Sequence, residues 1–247
     1  MRDGSFYDKL SELNGSLYHK DCKDFEDWKL ITTYSHPSGL FIALYNAGNS
    51  NIFAIKGTDV LDTHDWNADI NLANKKIPSQ YYAADKFYKQ IQNTYSNIIF
   101  TGYSLGGSIA QMLGNEYNKE TICFAPFGVG DIVKPKHTSC IINFGNIYDI
   151  VFMSNLDKQL GILYIMPVDN ALTDKPGVLK HFYKFYGKPS QAKEYTGPKN
   201  RDSLYKQLTR VKEDPSKYVK KGLVQADNYL HNIPSKLTKE AKKSLSW

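Results

Sequence analysis

Asn97-Ile98-Ile99-Phe100-Thr101-Gly102-Tyr103-Ser104-Leu105-Gly106-Gly107-Ser108-Ile109-Ala110 runs from an apolar stretch through a glycine-rich step into a second apolar pattern. Gly-x-Ser-x-Gly spans Gly102 to Gly106. Such a bare match arises by chance in roughly one chain in ten of this length. Its setting gives it weight. The run before it has the length and apolarity of a buried strand, and Ile109, Met112 and Leu113 behind the Gly pair fall on one face of a helix. Gly-x-Ser-x-Gly carries chemical meaning at a strand-to-helix turn of this kind.

At such a turn the Ser is held in a strained backbone conformation that pushes its hydroxyl outward. Gly102 and Gly106 flank Ser104 because a β-carbon at either position would strike the opposite side of the turn. Gly107 and Ala110 let the helix lie close to the sheet. The helix N-terminus adds partial positive charge where an oxyanion would form.

Outward from this turn, short apolar runs predict strands at Leu40–Tyr45, Ile52–Lys56, Asn97–Thr101, Thr121–Ala125, Cys140–Phe144 and Ile162–Met166. They are nearly continuous rather than alternating, as suits strands covered on both faces. Ala84, Phe87, Ile91 and Tyr95 recur at helical spacing after Pro78 and Ser79. Strands alternating with helices imply a mainly parallel sheet flanked by helices on both sides, an α/β fold. No internal repeat is visible, so solenoids are set aside.

The remaining composition narrows the classes. With 247 residues, 41% of them hydrophobic, the chain has ample material for a core and is neither disordered nor collagen-like. No run approaches the ~18 apolar residues of a membrane span, and Met1–Ser5 lacks the apolar stretch of a signal peptide. The expected location is cytoplasmic, or outside the cell by a route that needs no such peptide. Cys22, Cys123 and Cys140 are odd in number and widely spaced, which suggests neither a zinc site nor a disulfide framework. Buried thiols in a reducing compartment are expected.

The net charge of +6 is concentrated at one end. Residues 201–247 hold 11 Lys or Arg against 5 Asp or Glu, so the rest of the chain is balanced. Leu204–Val211 and Ile233–Leu245 read as helical. The division expected is a sheet domain over residues 1–190 and a basic helical C-terminal extension over residues 191–247. A basic extension of this kind can touch anionic membrane. Nucleic acid is the less favoured partner, because no recognised nucleic-acid motif accompanies the lysines.

From about Phe41 to Tyr186 the chain resembles the class 3 lipases, an α/β-hydrolase family, and particularly their bacterial lipase-like members. Besides the Ser104 turn, Lys56-Gly57-Thr58 followed by Asp65-Trp66-Asn67-Ala68-Asp69-Ile70 is similar to the family's Arg-Gly-Ser/Thr step and Trp-x-x-Asp segment. Cys123 to Asp131 resembles the strand and loop after the nucleophile helix. Tyr148-Asp149-Ile150-Val151 resembles the segment that bears the family's acid. Tyr103 stands where the family usually has His, Lys56 where Arg is common, and the stretch from Asp69 to Tyr82 is short for a developed lid.

Acyl transfer by Ser104 needs a base, an acid to orient it, and two oxyanion donors. The backbone N–H of Leu105, next after the nucleophile, is one donor. The resemblance implies Thr58 as the other, through its backbone N–H and possible hydroxyl support. Asp149 follows a strand by a short loop, which puts it at the carboxyl edge of the sheet. The resemblance favours it over Asp131, Asp157 and Asp169. Chain order in this fold runs Ser, acid, His. With Asp149 as acid, that order leaves His181 and His231 and sets aside His19, His36, His64 and His137. His181 falls where the family's His is expected, and His231 is the alternative within the basic segment. The resemblance implies hydrolysis of lipid carboxylic esters, acylglycerol or phospholipid, with no metal or organic cofactor. A small soluble ester or thioester substrate, or a non-catalytic interaction protein on a hydrolase scaffold, are the other readings.

Overall fold

The computed structural model describes residues 2–18, 22–57, 76–146, 149–166 and 188–196. Its centre is an eight-stranded sheet in which spatial order follows chain order. The strands are β1 (Lys29–Ser35), β2 (Phe41–Asn46), β3 (Asn51–Ile55), β4 (Ile98–Tyr103), β5 (Thr121–Phe124), β6 (Ile141–Gly145), β7 (Ile162–Ile165) and β8 (Lys193–Glu194). From β3 to β7 every pairing is parallel. β1 and β2 precede this block as antiparallel strands, and β8 closes it antiparallel to β7.

The four described helices are α1 (Gly4–Ser16), α2 (Ser79–Ile91), α3 (Leu105–Tyr117) and α4 (Ile150–Ser154). Parallel strands in sequential order need crossovers of one hand, which places those crossovers on one face. The packing follows this rule. Phe87 and Ile91 of α2 and Ile109 and Leu113 of α3 share a core with Leu44, Phe53, Phe100 and Cys123 of the sheet. The other face is covered by α1, whose Tyr7, Leu10 and Leu13 meet Ala54, Ile99, Ile122 and Phe144. Side chains along each central strand alternate between these cores, Ile99 facing α1 and Phe100 facing α2 and α3. Each fully buried Phe or Leu contributes about 1.5–3 kcal/mol by leaving water, so both faces of the sheet carry stability.

All six expected strands are present, within one or two residues at each end. The helix after Ser79 stops at Ile91 rather than reaching Tyr95, which packs on the core from the turn that follows. α3 ends in the ordinary way, with Asn118 left-handed at φ 52°. The sheet extends past residue 190, through β8. Cys123 is fully buried, whereas Cys22 and Cys140 are only half-buried, each packed at the border of one of the two cores. No helix among the described residues is long and apolar enough to cross a membrane.

Candidate active site

Ser104 stands between β4 and α3 with φ 55° and ψ −123°. For a residue with a side chain this region is strained by about 1–3 kcal/mol. Three close approaches hold it there. A β-carbon on Gly102 would lie 2.6 Å from the Gly107 nitrogen and collide with Gly106. One on Gly106 would fall 2.9 Å from the carbonyl carbons of Ile55 and Lys56. One on Gly107 would press on Gly102 and Pro126 at about 3 Å. Gly102 meets the other side of the turn, as the sequence spacing implies, whereas Gly106 meets the end of β3 rather than the turn itself, and Gly107 meets the Gly102 backbone and the Pro126 side chain.

Hydrogen bonds complete the frame. Ser104 N donates to Phe124 O at 3.0 Å, tying the elbow to β5. The Ser108 hydroxyl lies 3.1 Å from Ser104 O and 2.8 Å from Phe127 O, and accepts from Phe127 N at 3.0 Å. Ser108 thereby locks the loop after β5 against the elbow, a role its place in the motif did not suggest. Ala125, at the end of the neighbouring strand, also has positive φ, 44°, and its N donates to Phe144 O at 2.7 Å. Two strained residues thus lie side by side at the carboxyl edge of the sheet. Leu105 is the first residue of α3, and the amides of a first helical turn lack partners within the helix.

Asp149 sits at the same edge, four residues beyond the end of β6, and is 5% exposed. Its Oδ1 accepts from Val151 N and Phe152 N, both at 3.0 Å, and so caps α4. β4 and β6 are separated by β5 alone. Two strand spacings amount to about 10 Å, a gap in which an imidazole can stand between a Ser and an Asp side chain. The competing carboxylates are placed otherwise. Asp131 pairs with Lys158 at 2.5 Å, holding the lysine pKa above its usual value, and Asp157 is exposed.

Two of the six histidines can be placed. His36 lies in the β1–β2 turn, three strands from β4, with Nδ1 bonded to Ser38. His137 is exposed before β6, at the opposite edge of the sheet. Thr58, Asp169, His181 and His231 lie outside the described residues, as does the basic segment 201–247. Gly57 leads directly into Thr58. A β-carbon on Gly57 would collide with the Tyr103 carbonyl, so the end of β3 abuts the elbow.

Residues 18–135 match the Tle-like phospholipase domain, described as phospholipase-like. A Candida glabrata protein named "Putative lipase ATG15" is 35% identical over 97 residues, which cover 33% of this chain. The chain spans about a fifth of that relative's length. Among solved structures, a triacylglycerol lipase from Penicillium expansum aligns with a TM-score of 0.49 and 12% identity over 81% of this chain and 84% of that one. The Lip2 lipase from Yarrowia lipolytica aligns with a TM-score of 0.49 and 15% identity, over 81% and 86%. The matched residues 18–135 contain β1 to β5 with the Ser104 elbow among them, and over that part the chain is similar to the Tle-like phospholipase domain, carried here on a mainly parallel sheet flanked by helices.

Proposed function

We propose that the protein is a serine esterase of the lipase type, cleaving acylglycerol or phospholipid carboxylic esters through an acyl-enzyme. Ser104 Oγ attacks the ester carbonyl carbon while His181 takes its proton. The carbonyl oxygen becomes an oxyanion, received by the N–H groups of Leu105 and Thr58. The tetrahedral intermediate collapses, and His181 returns the proton to the departing alcohol. Water, deprotonated by the same imidazole, then releases the acid and restores Ser104. Asp149 orients the imidazole and stabilises its charged form. The sheet domain does this chemistry, and the basic segment 201–247 rests against anionic headgroups, where each Lys or Arg is worth on the order of 1 kcal/mol.

The observation that carries this reading is the strained, glycine-cradled Ser104 at the carboxyl edge. The similarity to a phospholipase-like domain supports lipid as the substrate class. The test is turnover on a panel of phospholipids, lysophospholipids, acylglycerols and short soluble esters, with Ser104→Ala, His181→Ala and His231→Ala beside the wild type. Ser104→Ala and His181→Ala are expected to lose roughly 10³-fold or more, and His231→Ala to stay near wild type. Retained turnover in Ser104→Ala removes the nucleophile. A loss confined to His231→Ala moves the base into the basic segment.

A further inference from the structure

Tyr18 follows α1 by two residues and lands where the end of β3 meets the residue before the nucleophile. A β-carbon on Gly57 would lie 2.5 Å from the Tyr18 hydroxyl oxygen, on the same glycine that abuts the Tyr103 carbonyl. The Tyr18 and Tyr103 rings meet edge to face, centroids 6.4 Å apart at 79°. Lys56 Nζ stands 5.3 Å over the Tyr18 ring. One turn earlier, buried Asn14 reaches the sheet. Its Nδ2 donates to Leu10 O and to Thr101 Oγ1, both at 2.8 Å, while its buried Oδ1 has no hydrogen-bond partner among the described residues. Leaving that acceptor unpaired is costly, so the side chain is held there by its other bonds and by packing.

β4 is therefore gripped at Thr101 and Tyr103, alternate positions on one face, immediately before Ser104. A residue at φ 55° persists only where its surroundings over-determine it. The glycines supply that constraint from one side of the elbow, and the contacts of Tyr18 and Asn14 supply it from the other.

We propose that Tyr18 is a positioning residue, whose ring, packed edge to face on Tyr103 and beneath Lys56 at the end of β3, fixes the geometry of the Ser104 elbow. Asn14 is the second clamp. The inference rests on the reading of Ser104 as nucleophile. A ring that merely filled space would lower stability and leave the reactivity of each folded molecule unchanged.

The test uses the full chain as wild type, Tyr18→Phe and Tyr18→Leu, each checked for folding by circular dichroism. Labelling of Ser104 by a fluorophosphonate is resolved into its maximal rate and its half-saturating concentration, and amide hydrogen exchange is followed in peptides covering 52–57 and 98–107. Tyr18→Leu is expected to slow the maximal rate at least tenfold, leave half-saturation within twofold, and speed exchange in both peptides. Tyr18→Phe is expected to label within threefold of wild type. Should Tyr18→Leu fail to fold, Tyr18→His is read in the same way. An undiminished maximal rate, a loss confined to half-saturation, or no rescue by Phe overturns the role of the ring. Failure of folded wild type to label at all overturns the nucleophile reading, and this proposal with it. Labelled wild type with an unaffected Tyr18→Leu removes the Tyr18 role alone.

Discussion

Gly106 and Ile55 touch backbone to backbone, so that a β-carbon on the glycine would come within 2.9 Å of the Ile55 carbonyl carbon and nearer still to its oxygen. Neither partner can yield without moving β3 or α3. Gly106→Ala should cost about 1–3 kcal/mol or more through overpacking and displace the elbow. Gly48 is the comparison, with φ 75° and nothing within 4 Å of its would-be β-carbon. Gly48→Ala should cost about 1–2 kcal/mol from its backbone alone and leave ester turnover unchanged. Urea denaturation and specific activity of the two variants check both halves.

Ser104 carries strain that a glycine would not feel. Ser104→Gly should raise unfolding free energy by about 1 kcal/mol, the relief being partly offset by the greater freedom of glycine in the unfolded chain. Turnover should fall roughly 10³-fold or more in the same variant. A thermal melt showing no gain would mean that the strain at φ 55° is absorbed elsewhere.

Asp149 combines helix capping with its proposed catalytic task, and the two can be separated. Asn is as good a cap as Asp, so Asp149→Asn should keep α4 and melt near wild type. It lacks the charge that stabilises an imidazolium, so kcat should fall by about 10³–10⁴-fold. Asp149→Ala should lose the cap as well, costing about 1 kcal/mol more. Equal kcat in Asp149→Asn and wild type would restrict Asp149 to capping.

The tyrosines set an alkaline limit. Burial, followed by the charges of Asp85 and Glu116, pushes Tyr81 up to about 12, and Tyr45, Tyr88 and Tyr117 are raised chiefly by burial. Unfolded tyrosines ionise near pH 10. Between pH 10 and 12 the native state therefore holds more protons than the unfolded state, and stability falls as pH rises. These groups contribute fully below pH 10 and are lost above it. Denaturant unfolding at pH 9, 10 and 11 should show a progressive fall in midpoint, and ultraviolet titration should show a fraction of the tyrosine absorbance change appearing only on unfolding. A midpoint constant to pH 11 would contradict the shifts.

Much of the sheet was legible because its strands are covered on both faces and so read as apolar runs. β1, with Lys29, Thr32, Thr33 and Ser35 exposed at the sheet edge, gives no such run and was missed. α1 escaped for a different reason. Tyr7, Leu10, Leu13 and Leu17 keep helical spacing, but buried Ser11 and Asn14 interrupt the apolar stripe. The elbow was legible because the glycines that permit it are local. The choice of Asp149 over Asp131 rests on the family resemblance, since each follows a strand in the sequence; Asp131 is paired with Lys158. Tyr18, Asn14 and Ala125 could not be read from sequence, because their importance comes from neighbours far along the chain or from a backbone angle.

Because spatial order in the sheet repeats chain order from β1 to β8, each strand from β2 onward leaves a ribosome after one of its partners has been made. Growth can proceed by addition to a free edge, with no later strand forcing its way between two earlier ones. The first helix behaves in the opposite way. α1 packs Tyr7 against Phe144 and binds Ser190 through both oxygens of Asp8, at 2.8 and 2.6 Å. α1 is made before the sheet it covers, and until Ser190 emerges the face of the sheet behind the elbow waits for its complete cover.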